Sequence, residues 1–193
     1  MTPPLGHFVD NANCIETTEG SFFDLIHPRS EEVSLEAIAS GLSKICRFGG
    51  QTKGDLFYSV AEHSVLCWQI ALSRGYGSMT RRAVLLHDAH EAYTGDITRP
   101  LKQHLPEYVV ISNRVQDAIY QRYGVRTPDH ASIKGIDDPI LREEAEAVMT
   151  SKARHWNWSP DLSRPDVTIG CWDHKTAKQL FLLACRAEGL RDD

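Results

Sequence analysis

The stretch Leu85–Asp96, LLHDAHEAYTGD, gathers two His, two Asp and a Glu behind an apolar start. On a helix His87 and Asp88 point about 100° apart, yet both can reach an ion lying over the helix edge. Glu91 follows His87 by four residues and Asp88 by three, so it lies on the same side, one turn on. Two side chains do not close a metal shell, and other helices must supply the rest. His63 falls in the first turn of its own helix, and Asp137 and Asp138 fall in a later one. Two imidazoles and two carboxylates make a mixed N/O shell that suits Mn, Fe, Co, Ni or Zn without choosing among them. Such a shell leaves room for water and a phosphate oxygen. Taken singly, each residue has a plainer role: a surface His, a solvated helix Glu, an Asp in a turn or at an N-cap. Their joint spacing favours the metal.

Helices must bring these residues together, and the apolar spacing predicts them. Leu35, Ile38, Leu42 and Ile45 recur at helical spacing after Ser34, which can cap, and the helix stops near RFGGQ. The next begins at the capping box Ser59–Glu62 and runs to about Arg74, with Gly75 as its stop. A third starts near Ser78 and runs through the HD pair to Thr94-Gly95. Others span about 107–123, about 128–150 with Pro139 placed to bend it, and 173 to about 188. Residues 1 to about 30 read as irregular or short-stranded, and HWNWSPDLSRPDV as a loop whose Trp156 and Trp158 serve packing or an interface. The expectation is a single mostly α-helical domain over 1–193.

The 193 residues carry a net charge of -5 and no basic run, which argues against a polymeric nucleic acid partner. Five scattered Cys without a CxxC argue against a disulfide framework or Cys-rich zinc site and for a reducing cytoplasm. No apolar run approaches the roughly 20 residues of a membrane helix, and the N-terminus does not read as a signal peptide.

The ordered set AEHSV, LLHDAHEAYTGD and IKGIDD resembles the HD-domain metal-dependent phosphohydrolases, whose signature is H…HD…D. HDxxExxxGD followed by RPLK, with LSKICRFGGQ upstream, is similar to the branch of bacterial 5′-deoxynucleotidases and phage dATP triphosphohydrolases. The resemblance covers roughly residues 35–150. It implies an all-α HD-domain helical bundle with a short irregular N-terminal segment. It implies one divalent transition metal held by His63, His87, Asp88 and Asp137, with no organic cofactor. Asp137 is preferred to Asp138 because it stands four residues after Ile133, as in the family; Pro139 departs from the family pattern. Glu91 and Asp96 match the acidic pair beside the ligands. Arg47 matches the phosphate contact, Phe48 the aromatic position near base or sugar, and Arg99 and Lys102 a basic loop near the phosphates. A homo-oligomer acting on a small nucleotide substrate follows by the same analogy.

The chemistry of the residues is consistent with this. A metal lowers the pKa of a nucleophilic water. Glu91 can orient it or take its proton, and Asp96 can protonate the leaving oxygen if its pKa is raised. Arg47 and Lys102 can stabilise charge on the phosphoryl oxygens. A silent nucleotide-sensing HD module is one rival, and its mark, loss of ligands or of the acidic pair, is absent. An HD phosphodiesterase is another; the GYP signature of the cyclic-dinucleotide branch is missing. His90 and His104 keep a second metal open.

Overall fold

In a computed structural model that describes residues 12–126, 130–158 and 164–192, two short strands precede eight α-helices. These are β1 (Cys14–Glu16), β2 (Phe22–Asp24), α1 (Leu35–Leu42), α2 (Val60–Ser73), α3 (Ser78–Leu85), α4 (Glu91–Thr94), α5 (Arg99–Lys102), α6 (Pro106–Arg122), α7 (His130–Val148) and α8 (His174–Ala187). The described residues are thus mostly helical, as expected for an all-α chain. The start expected at Pro128, the middle of the loop after Trp158 and the first eleven residues lie outside them. Among the described residues no helix is long and apolar enough to cross a membrane.

β1 and β2 pair antiparallel, Ile15 opposite Phe23, around a turn closed by the Gly20 amide donating to the Thr17 carbonyl. This hairpin delivers Phe23 into the core, where its ring stacks on Tyr93 at 4.1 Å. Ser34 caps α1, its hydroxyl accepting from the Ala37 amide. Gly41 is required where α1 meets α4, because a Cβ there would lie 2.8 Å from Ala92.

Helix α2 is the centre. Val60 to Cys67 are all buried, so it has no wide polar face. It packs against α3, α8, α7 and α1. Two apolar clusters flank it. One joins Ile38, Leu42, Val65, Ile119 and Phe181; the other joins Tyr58, Leu66, Ile70, Ile136 and Ile140. Each such Leu or Ile contributes roughly 1.5–3 kcal/mol on burial. The second cluster docks α7 on α2, and with it Asp137 beside His63.

Two expectations are corrected. The helix drawn from Ser78 to Thr94 is broken: α3 ends at Leu85, and 86–90 run in tight turns before α4. Hydrogen bonds there close over three residues, Ala89 to Leu86 and Glu91 to Asp88. The capping box is half made. Ser59 Oγ accepts from the Glu62 amide, but the Glu62 carboxylate turns away. It accepts from the amides of Gly170, Cys171 and Trp172 at 2.7–3.0 Å, strapping the segment before α8 across α2. As expected, α7 runs on through Pro139. Proline leaves the carbonyl four residues back without its helical donor, and that carbonyl, Gly135, accepts from Arg74 Nη1 at 2.7 Å.

Candidate metal centre

His63 comes from the first turn of α2, His87 and Asp88 from the turns after α3, and Asp137 from α7. His63 Nε2 lies 3.3 Å from His87 Nε2, 3.4 Å from Asp88 Oδ2 and 3.5 Å from Asp137 Oδ1. His87 Nε2 lies 3.2 Å from Asp88 Oδ2. Donors held about 2.0–2.2 Å from one ion, at angles near 90–110°, are separated by roughly 3.0–3.5 Å. His63, His87 and Asp88 are mutually spaced as ligands of one divalent ion would be, and Asp137 Oδ1 has that spacing from His63. His87 and Asp88 sit in the turns after α3, which ends at Leu85, and not on a continuous helix.

Each imidazole is turned the right way. His87 Nδ1 lies 2.7 Å from the Val84 carbonyl, which can only accept. Nδ1 therefore carries the proton, and Nε2 presents its lone pair. His63 Nδ1 lies 2.5 Å from Glu144 Oε1. Against burial, Arg47 and His63 hold the Glu144 carboxyl down at about 2, so it too accepts. A carboxylate bonded to the far nitrogen of a metal-binding His fixes its ring and raises its basicity. Burial opposes a positive charge on His87, yet Asp88 pulls its pKa up; burial opposes ionisation of Asp88, yet His87 and His63 hold its pKa well down. The carboxylates thus favour positive charge at this point, which a divalent ion supplies.

Neighbouring groups stand outside the donor set. Asp138 faces Arg99, at 3.8 Å. Cys67 is close to both histidines, but its Sγ is almost equidistant from the two nitrogens of His63, 3.8 and 3.6 Å. It sits beside the ring and not along the Nε2 lone pair, and the carboxylates answer the geometry better. His90 gives its amide and Nδ1 to Gln116 Oε1, both at 3.1 Å, and His104 is exposed. Neither joins the cluster.

A cavity of about 710 Å³ opens over Asp88 and Asp137, within the size range of small-molecule sites. Arg47, Glu91, Asp96 and Lys102 line its charged part. Arg47 is placed by a bridge between Cys46 and Ser59 that lays its strand against the start of α2. It is buried, with Nη2 3.1 Å from Glu144 Oε2 and Nη1 3.5 Å from Asp88 Oδ2. Burial disfavours its charge, but Glu144 and Asp88 hold it firmly protonated. Its Nε has no partner among the described residues, nor has Glu91 Oε2. Burial, reinforced by Asp88 and Asp96, holds the Glu91 carboxyl well above the usual range. Burial also raises Asp96, Arg47 opposing and Asp88 adding. Phe48 and Arg99 line the cavity too, Arg99 largely exposed.

No family model matches the chain. It is 38% identical over 136 residues to an uncharacterized protein of Rhodobacter capsulatus, covering 67% of this chain and 69% of that one. It is 32% identical over 142 residues to the uncharacterized protein YfdR of Escherichia coli, covering 74% and 76%. The chain belongs to one family with these bacterial proteins. Neither name carries an activity.

Sequence reasoning missed Glu144. Glu144 follows Asp137 by seven residues, two turns along the same face of α7, and that spacing was the available signal. It takes hydrogen bonds from Arg47 and, at 2.7 Å, from the Tyr58 hydroxyl, besides its contact with His63. Trp156 and Trp158, expected in packing or at an interface, pack on each other and on Phe48 and also line the cavity.

Proposed function

We propose that this chain is a metal-dependent phosphohydrolase of (deoxy)nucleotides, of the HD type its motifs resemble. The observation that carries this reading is the cluster of His63 Nε2, His87 Nε2 and Asp88 Oδ2, mutually 3.2–3.4 Å apart, with Asp137 Oδ1 3.5 Å from His63, beneath a cavity with buried cationic and acidic groups. A divalent ion held there would supply Lewis acidity toward a phosphoryl oxygen and a water ionisable near neutral pH.

The chain's own residues do the rest. Arg47, pinned by Glu144, offers its free Nε to a phosphoryl oxygen, and Lys102, which also lines the cavity, adds charge. Glu91 Oε2, buried and unpartnered, is placed to orient the attacking water and accept its proton. Asp96, raised by burial, is the group to protonate the leaving oxygen. Glu144 holds the ring of His63 and the fork of Arg47 with the same carboxylate.

The test is product identification. The protein, with Mn²⁺ or Co²⁺, is incubated with dAMP and with dATP, beside Asp88→Ala. Phosphate from dAMP or triphosphate from dATP, lost in the variant, is the expected result. No release from any deoxynucleotide by a metal-loaded protein would sink the proposal.

A further inference from the structure

We propose that Trp156 and Trp158, beside Phe48, form a stacking seat for the nucleobase. The inference rests on the phosphohydrolase reading and names what the far part of its site recognises.

A chain of contacts leads from the ligand cluster to the seat. Asp88 pairs with Arg47, whose guanidinium carbon lies 5.7 Å from the centre of the Phe48 ring. Phe48 meets Trp156 at 6.2 Å between ring centres, and Trp156 meets Trp158 at 5.4 Å with their planes 34° apart. All line the one cavity, with Leu141 and Met149 beside them. A ligand that fits must carry an anion at one part and a flat apolar face at another, which describes a nucleoside phosphate.

Backbone geometry supports a function for these rings. Phe48 has φ +58°, and Lys152 and Ala153, just before the tryptophans, both have φ +51°. L-residues rarely adopt this region, and such conformations cluster where a site needs them. At Phe48 the turn sets the ring beside Arg47. After Ala153, the Ala153 carbonyl accepts from the Trp156 amide at 3.1 Å and from Trp158 Nε1 at 3.3 Å. That bond fixes the Trp158 ring and occupies its only polar atom. Trp156 remains 38% exposed, a large aromatic face open to a partner. Asn157, between the two tryptophans, lines the same cavity and can meet a base edge, while the rings offer a surface for the π-face that every base has.

The experiment is isothermal titration calorimetry on Zn²⁺-loaded Glu91→Gln protein, a form chosen so that ligand is not consumed. The probes are dAMP, ribose 5-phosphate and inorganic phosphate. The expected result is dAMP binding at least tenfold tighter than ribose 5-phosphate. Trp156→Leu/Trp158→Leu should lose that margin, with ribose 5-phosphate affinity unchanged. Trp156→Phe/Trp158→Phe should keep most of it. If the double leucine variant does not fold, Trp156→Leu alone, at an exposed position, should narrow the margin about threefold. Equal binding of dAMP and ribose 5-phosphate, or a margin untouched by leucine, overturns the seat. Nucleotide binding with this discrimination but no turnover by wild type would leave the seat standing and sink the hydrolase. Turnover of all phosphate esters alike would do the reverse.

Discussion

Glu91 and Glu188 are about equally buried, 3% and 4% exposed, and they behave in opposite ways. Glu188 closes the seam between α8, α2 and α3. It accepts from Trp68 Nε1 at 2.8 Å, Ser78 Oγ at 3.1 Å, and both Nε and Nη2 of Arg81 at 2.7 and 3.2 Å. Burial would raise its pKa, but these donors hold it below the ordinary value. Glu91 faces like charge instead, and burial with Asp88 and Asp96 drives its pKa well up. One buried carboxylate is fully satisfied and the other keeps an unpartnered oxygen, and under the proposed function that oxygen is the one that meets the attacking water.

The largest effect should come from Glu91→Gln. If the reserved carboxylate moves a proton, kcat falls by about 10²–10⁴, while urea denaturation shows no loss of stability. Unchanged kcat would erase the contrast with Glu188. Glu144→Gln should follow. It removes the charge beside Arg47 and His63, and breaking a buried pair costs about 3–5 kcal/mol; metal affinity, read by competition with a chelator, should drop about 10–100-fold. Normal metal affinity in a destabilised variant would make Glu144 a prop for Arg47 alone. Glu188→Gln should cost about 3 kcal/mol, the low end because Arg81 is partly exposed and can rehydrate, with kcat unchanged in whatever protein remains folded.

A smaller effect separates the two carboxylates by sign. The folded pKa of Glu188 is depressed, so its contribution to stability is full above about 4.3 and is lost as pH falls toward the folded value. The folded pKa of Glu91 is raised, so its contribution is full below about 4.3 and is lost as pH rises through the folded value. In chelator, Glu188→Gln should therefore flatten the acid limb of the stability curve. Glu91→Gln should raise stability near neutral pH relative to wild type. Parallel curves for both variants would remove the electrostatic distinction.

The lesson about sequence lies in which contacts stay within an element. The helical spacing of Leu35, Ile38 and Leu42 and the cap at Ser34 placed α1, and the start of α2 was legible at Ser59. Yet Glu62, which the capping motif turns back on its own helix, instead holds amides 108–110 residues away. The HD pair was legible as chemistry, but its helix was drawn straight through, because apolar periodicity does not register a change from four-residue to three-residue hydrogen bonding.

By itself the sequence determined the all-α class, most helices, and the types and order of His63, His87, Asp88 and Asp137, since residue type and spacing along one helix are local properties. Only the tertiary structure put Asp137 beside His63 and Asp138 beside Arg99, set Glu144 behind His63 across 81 residues of chain, buried Arg47 between two carboxylates, and brought the tryptophans to the cavity. Those outcomes depend on how α7 docks on α2 through Leu66, Ile70, Ile136 and Ile140. Packing of apolar side chains fixes that docking, and no spacing within either helix encodes it.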